Sequence, residues 1–337
     1  IEDMLNPQTQ VSGCQSAGTG AYFCEYVIAN FLRDPAFGED VAARQRLLYT
    51  GGLTLRTTLD PARQADAYAA AVGAIPVEDA SGVNAVIVSL VPQTGHVVAM
   101  AQNTPFGVAS EANPRATQVN YSVGPADSGG SGFQPGSTFK TFTLVQWFNE
   151  GHSGYEPVGR NDRTFRNGQF KCGGTPIPTD NWTVKDLNGK NGVFDAVRAT
   201  QRSVNQAFAD MATKVDFCQI FQTAANLGVT DVATGEPVAA LPANIIGATP
   251  ATPLMMANAY GTIANDGTHC NPMGLTEVEA SYGTIKSYPP ECAPAISPTV
   301  AQQAATVLER TGASYPENIG TQSHIELGTA DGCSSGS

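Results

Sequence analysis

Charge is scarce in this chain. Asp, Glu, Lys and Arg make up 14% of its 337 residues, and acidic residues outnumber basic ones 30 to 18, for a net charge of −12. A surface so poor in positive charge carries no basic footprint for nucleic acid and no polybasic patch for an anionic membrane. The sequence also lacks any uninterrupted apolar run of about 18 residues, so no transmembrane helix is expected within it. Its first residues, Ile1-Glu-Asp-Met-Leu5, have neither the basic nor the apolar region of a signal peptide, and a targeting segment is expected upstream. There is no Cys-x-x-Cys, and the four histidines, His96, His152, His269 and His324, are scattered. Neither zinc nor another metal is therefore expected. Internal repeats are absent as well.

Cysteine itself is not rare: Cys14, Cys24, Cys172, Cys218, Cys270, Cys292 and Cys333. Without metal-ligand spacing, the better reading is disulfides formed in an oxidising compartment. Cys14 with Cys24 and Cys270 with Cys292 are local pairs, and Cys172 with Cys218 would then staple an insertion. Other pairings of these six stay open, Cys333 is left over, and seven reduced core cysteines are the alternative. Hydrophobic residues are 42% of the chain, enough for a full core, while 35 glycines and 22 prolines predict many loops.

The periodicities alternate along the chain. Helices are expected over 21–32 and 40–49. Leu53, Leu55 and Thr57 alternate with polar neighbours as in a half-buried strand. Asp60-Pro61 reads as a cap and first helical residue of an alanine-rich helix to about 72. Residues 84–90 and 96–101 are apolar and β-branched, and the Pro92-Gln-Thr-Gly95 turn makes them a hairpin. Loop follows over 102–133, then an apolar helix over 138–149, then a polar Gly- and Pro-rich stretch over 151–192. Further helical runs cover 193–215, 253–264 and 298–311, with a strand pair after 277. Strands, helices and strands again predict an α/β (α+β) layer architecture.

The segment Gln134-Pro-Gly-Ser137-Thr-Phe-Lys140 carries the chemistry. Positions i and i+3 share a helix face, so Lys140 can reach back to the Ser137 hydroxyl. A serine needs such a neighbour, being a poor nucleophile at its own pKa. Phe139, Phe142, Leu144, Val145 and Phe148 give the helix an apolar face to bury, and a buried lysine shifts toward its neutral, basic form. The plainer reading is an ordinary helix with Ser137 as its cap and a solvated lysine. In Ser203-Val-Asn205, both side chains could project into a cleft from a turn between helices, the serine relaying a proton and the asparagine amide holding a substrate carbonyl; a polar helix stripe is the plain alternative.

Together the two motifs resemble the active site of penicillin-recognising serine acyltransferases. Other segments extend the likeness. The stretch Gly51-Gly-Leu-Thr-Leu-Arg-Thr-Thr-Leu-Asp-Pro-Ala-Arg-Gln64 looks like the entry to the transpeptidase domain of class A (bifunctional) penicillin-binding proteins. Val91-Pro-Gln-Thr-Gly-His-Val-Val-Ala-Met100 is similar to that family's first hairpin. Thr252-Pro-Leu-Met-Met-Ala-Asn-Ala-Tyr-Gly-Thr-Ile-Ala-Asn265 is similar to one of its helices, and the cysteine-bearing segments resemble its actinobacterial branch.

The resemblance implies a penicillin-binding transpeptidase and serine β-lactamase-like fold, an antiparallel sheet flanked by helices with a helical subdomain. It implies a linker region over 1–50 and a transpeptidase domain over 51–337. It also implies a serine D,D-transpeptidase that needs no cofactor. Ser137 would attack a peptidoglycan stem peptide with Lys140 as base and Ser203 as relay. Asn205 would line the cleft, and β-lactams would be covalent inhibitors. The implied location is the extracytoplasmic face of the bacterial membrane, with an upstream glycosyltransferase domain and membrane anchor as partners outside this chain.

The family's third element, Lys-Thr-Gly-Thr, is the point of departure. Here the aligned stretch is Glu326-Leu-Gly-Thr329. Gly328 and Thr329 fit as substrate-binding residues, but Glu326 stands where a lysine would hold the substrate carboxylate. The domain is accordingly expected to be incomplete near its C terminus, and a non-catalytic peptidoglycan-binding or scaffolding module is the rival reading. A D,D-carboxypeptidase shares the first two motifs. A serine β-lactamase is disfavoured because no deacylating glutamate loop is evident.

Overall fold

Helix starts in this chain are written by capping side chains. Asp40, Asp60, Asp195, Asp216 and Thr252 each accept a hydrogen bond from backbone N–H groups two or three residues on, which satisfies donors that a helix start leaves unpaired. Pro61 and Pro253 follow two of these caps, where a missing N–H costs nothing.

The computed structural model describes residues 13–161, 164–185 and 192–312. In chain order its elements begin with α1 (Ala21–Arg33), α2 (Val41–Thr50), β1 (Thr54–Thr57), α3 (Pro61–Ala74), β2 (Val86–Val91), β3 (His96–Gln102) and α4 (Lys140–Asn149). Six two-residue strands follow: β4 (Pro157–Val158), β5 (Thr164–Phe165), β6 (Lys171–Cys172), β7 (Thr175–Pro176), β8 (Trp182–Thr183) and β9 (Phe194–Asp195). Then come α5 (Ala196–Gln201), α6 (Asn205–Lys214), α7 (Phe217–Asn226), α8 (Pro253–Ala264), β10 (Thr268–Cys270), β11 (Leu275–Ala280), β12 (Gly283–Ser287), β13 (Cys292–Pro294) and α9 (Pro298–Gly312). No helix among the described residues is long and apolar enough to cross a membrane.

Contacts divide the chain into two units. The first comprises the described parts of Ile1–Ser89, Val97–Gly130 and Met273–Pro289. In it β1, β11 and β12 form an antiparallel sheet with Leu55 opposite Val278. Arg56 on the exposed side grips Glu279 at 2.9 Å. Gln64 of α3, 3% exposed, acts as a backbone clamp: its Nε2 donates to Thr19 O and Met100 O, and its Oε1 accepts from Met100 N. The Asp60-Pro-Ala-Arg-Gln64 run thus both starts a helix and fixes β3.

The second unit comprises Leu90–His96, Ser131–Pro272 and the described part of Pro290–Ser337. Its core gathers the large side chains of α4 and the turn before it, α6 and α7, among them Phe139, Phe142, Trp147, Phe208, Phe217 and Phe221, each no more than 2% exposed. Trp147 is sealed in by His152, stacked on it at 3.9 Å, and its Nε1 donates to Ser153 O. Trp182 packs loosely beside Phe165 and Phe170.

The structure differs from the sequence reading at several points, the unexpected β10–β13 pair among them. The helical run over 193–215 is broken at Arg202–Val204. Helix α7 was not anticipated. The polar stretch over 151–192, to which the sequence reading assigns no element, carries five of the two-residue strands, paired β5 with β8 and β6 with β7, while β4 pairs with β9 just beyond it. Strands this short leave no periodicity to read.

The disulfides are Cys14–Cys24, Cys172–Cys218 and Cys270–Cys292. Cys270 and Cys292 face each other in the β10–β13 register. Cys172–Cys218 ties β6 to α7 across a sequence separation of 46. By loop-closure entropy, a cross-link of that span is worth about 4 kcal/mol. The double variant Cys172→Ser with Cys218→Ser is expected to lose stability of that order in denaturant unfolding, whereas the Cys14–Cys24 pair, closing a separation of 10, should matter less.

Candidate active site

The segment before Ser137 is stitched down on one side. Phe133 and Ala251 exchange backbone hydrogen bonds at 2.9 and 2.8 Å, and Gly136 N donates to Gly247 O at 3.3 Å. The close approach depends on two glycines in the left-handed region, Gly136 at φ +57 and Gly247 at φ +79. A Cβ on Gly247 would lie 2.2 Å from Gly136 O, which no side chain can tolerate.

Gly136–Phe139 then forms a 3₁₀ turn that passes directly into α4 at Lys140. In a 3₁₀ turn, residues three apart eclipse one another, and that stacks Lys140 over Ser137 more squarely than an α-turn would. Phe139 and Phe142, in edge contact at 4.8 Å, anchor the turn in the core. Lys140 is drawn in with them and is 3% exposed. Its Nζ lies 3.1 Å from Ser137 Oγ, 3.0 Å from Ser203 Oγ and 2.8 Å from Ser203 O, with the Phe208 ring 5.5 Å away.

Ser203 reaches this point because the chain turns there. Helix α5 ends at Gln201, Ser203 takes φ +50, and α6 starts at Asn205. A non-glycine residue in the left-handed region is uncommon. Here it is held by Val204, fully buried, and by backbone bonds from Ser203 N to Thr200 O and Val204 N to Ala199 O. Asn205 Nδ2 donates to Lys185 O at 2.9 Å.

Ser137, Lys140 and Ser203 therefore meet, and Asn205 stands at the start of the adjoining helix. Gly328 and Thr329, with Glu326, Leu327, His324 and Cys333, lie outside the described residues. Among the described residues, Lys140 is the basic group that reaches Ser137 Oγ. Two histidines are occupied elsewhere: His152 bonds Glu156 at 2.9 Å, and His269 is 3.0 Å from Thr262 Oγ1, where burial lowers its pKa. Sequence reasoning missed Gly247 and Tyr260. Tyr260 lies within the 252–265 segment, but its contact with the Ser137 turn spans 122 residues and leaves no local trace.

The trio is chemically coherent: a hydroxyl, a buried amine and a second hydroxyl lie within one hydrogen-bond network, the layout of an activated nucleophile with a proton relay. The family profile of the penicillin binding protein transpeptidase domain matches residues 85–326, a span that includes all three. Penicillin-binding protein 1A of Mycobacterium tuberculosis is 23% identical over 256 residues, covering 72% of this chain and 27% of that protein; the chain thus spans about a quarter of that relative's length. Among solved structures, PonA1 of M. tuberculosis in complex with penicillin V superposes with a TM-score of 0.67 at 20% identity, covering 90% of this chain and 74% of that one. The ceftriaxone acyl-enzyme of penicillin-binding protein A from M. tuberculosis gives 0.59 at 20% identity, with 81% and 66% covered. The fold is that of penicillin-binding transpeptidases, mixed α/β with antiparallel sheets and flanking helices, and the chain belongs to the penicillin-binding protein transpeptidase family.

Proposed function

We propose that this chain is a serine D,D-transpeptidase domain that cross-links peptidoglycan stem peptides through an acyl-enzyme on Ser137. The observation that carries the reading is the 3.1 Å approach of buried Lys140 Nζ to Ser137 Oγ, with Ser203 Oγ on the other side of the amine at 3.0 Å. In its uncharged form, Lys140 takes the hydroxyl proton as Oγ bonds to the penultimate D-Ala carbonyl carbon. Backbone N–H groups, that of Ser137 among them, hold the oxyanion. The tetrahedral adduct collapses, the peptide C–N bond breaks, and the departing D-Ala amine receives its proton through Ser203. An amine of a second stem peptide then attacks the ester and passes its proton to Lys140. The new peptide bond forms as Ser137 leaves and regains its hydrogen. A substrate carbonyl at Asn205 Nδ2 takes over the role that Lys185 O now plays. By their likeness to the family's third motif, Gly328 and Thr329 are assigned to substrate binding.

Family members are cell-wall enzymes, and we assign this chain to the extracytoplasmic face of the bacterial membrane. A transmembrane anchor and a glycosyltransferase domain outside the chain would be joined through residues 1–50. One feature favours a second reading: Glu326-Leu327 replaces the Lys-Thr of the third motif. A carboxylate at that position repels the substrate carboxylate, as expected of a module that binds peptidoglycan without turning it over.

Fluorescent penicillin separates the two. The transpeptidase reading expects a covalent adduct on the folded chain, visible in intact mass and mapping to the peptide that contains Ser137. Folded protein that takes no adduct overturns it and leaves the binding module.

A further inference from the structure

We propose that Tyr260 is a positioning residue for acylation, acting through the two threonines that follow Ser137 and Lys140. This inference rests on the acylation reading given above. Tyr260 lies on α8 and is 4% exposed. Its hydroxyl donates to Thr138 O at 3.0 Å and lies 2.7 Å from Thr141 Oγ1. A phenol has one proton. Since a carbonyl can only accept, that proton goes to Thr138 O, and the Thr141 hydroxyl must donate to Tyr260. One oxygen thereby fixes the residue after the nucleophile and the residue after the base.

The location is the transition from the 3₁₀ turn Gly136–Phe139 to α4, where the spacing of Ser137 and Lys140 is decided. The Thr138 hydroxyl already donates to Pro135 O at 2.7 Å, and Thr141 is buried, so its hydroxyl cannot turn to bulk water for a partner. Without the Tyr260 oxygen, a helical threonine bonds back to a carbonyl three or four residues earlier and bends its helix. For Thr141 those carbonyls belong to Thr138 and Ser137. The bend would therefore be centred on the serine–lysine pair. Before Ser137 in the chain the segment is already fixed by Gly247 and Ala251, so Tyr260, bonding after it, supplies the second of two restraints on the turn.

Positioning of this kind is felt in the chemical step. A displacement near 1 Å costs on the order of 100-fold, and loss of one restraint on a turn that keeps the other is expected to cost about 10-fold. The experiment measures the saturating acylation rate and the dissociation constant for penicillin V in the full chain, in Tyr260→Phe, and in Ile263→Val. Ile263 is a buried residue of the same helix, so its variant reports what a small loss of core packing does by itself.

The expected result is an acylation rate about 10-fold lower for Tyr260→Phe, with the dissociation constant within about 2-fold of the parent's and Ile263→Val acylating at the parental rate. Equal acylation rates for Tyr260→Phe and the parent overturn the proposal, as does equal slowing of both variants. A parent chain that is never acylated overturns the nucleophile reading and this one with it, which separates the two failures.

Discussion

Ser137→Ala is expected to abolish covalent labelling by penicillin while leaving the fold intact. The reasoning begins with what Ser137 does structurally, which is little. It is only partly buried, and the turn that carries it has no side-chain cap bond. Its Oγ accepts one hydrogen bond from Lys140, whose Nζ keeps Ser203 O and Ser203 Oγ when that partner is gone. Loss of one such bond is worth about 1 kcal/mol. Removing the oxygen removes the atom that forms the ester, so no slower version of the same step remains. Labelling followed by gel fluorescence and intact mass, alongside thermal unfolding, checks both halves. A labelled Ser137→Ala protein would move the nucleophile elsewhere.

Lys140→Arg is the second large effect. Arginine keeps the positive charge and the donors but stays protonated in proteins, so it cannot accept the serine proton. If the lysine served only as a structural donor to Ser203, arginine would be a partial substitute. If it is the base, acylation falls by about 10²- to 10⁴-fold. Lys140→Met supplies the control. It fits a buried position beside Phe208 with neither charge nor base, and it should acylate as slowly as the arginine variant. Stopped-flow acylation of the three proteins is the measurement. An arginine variant within about 3-fold of the parent would exclude Lys140 from proton transfer.

What the sequence made legible follows from how local each signal was. Ser137 and Lys140 were readable because a spacing of three is a helical contact, and Pro135-Gly136 marked where the turn must start. The bounds of α8 were readable because Thr252 caps it and Pro253 fits its first turn. The break before Asn205 was suggested only by the Ser-x-Asn motif, because Arg202-Ser203-Val204 contains neither glycine nor proline; burial of Val204 imposes the turn. Helix α7 did carry a readable pattern: Asp216 as cap, then Phe217, Ile220, Phe221 and Ala224 on one face. Tyr260 and Gly247 show the opposite limit. Each acts on the Ser137 turn from more than 100 residues away in sequence, and only the folded backbone brings them there.

The backbone at Ser203 also narrows what evolution can write there. The proposed proton relay asks for a hydroxyl, and threonine offers one. Yet at φ +50 a β-branched residue is a genuine outlier, whereas asparagine or aspartate would be tolerated but would lose the hydroxyl. Serine thus meets two separate filters, one set by the proposed proton transfer and one by conformation, and few side chains pass both.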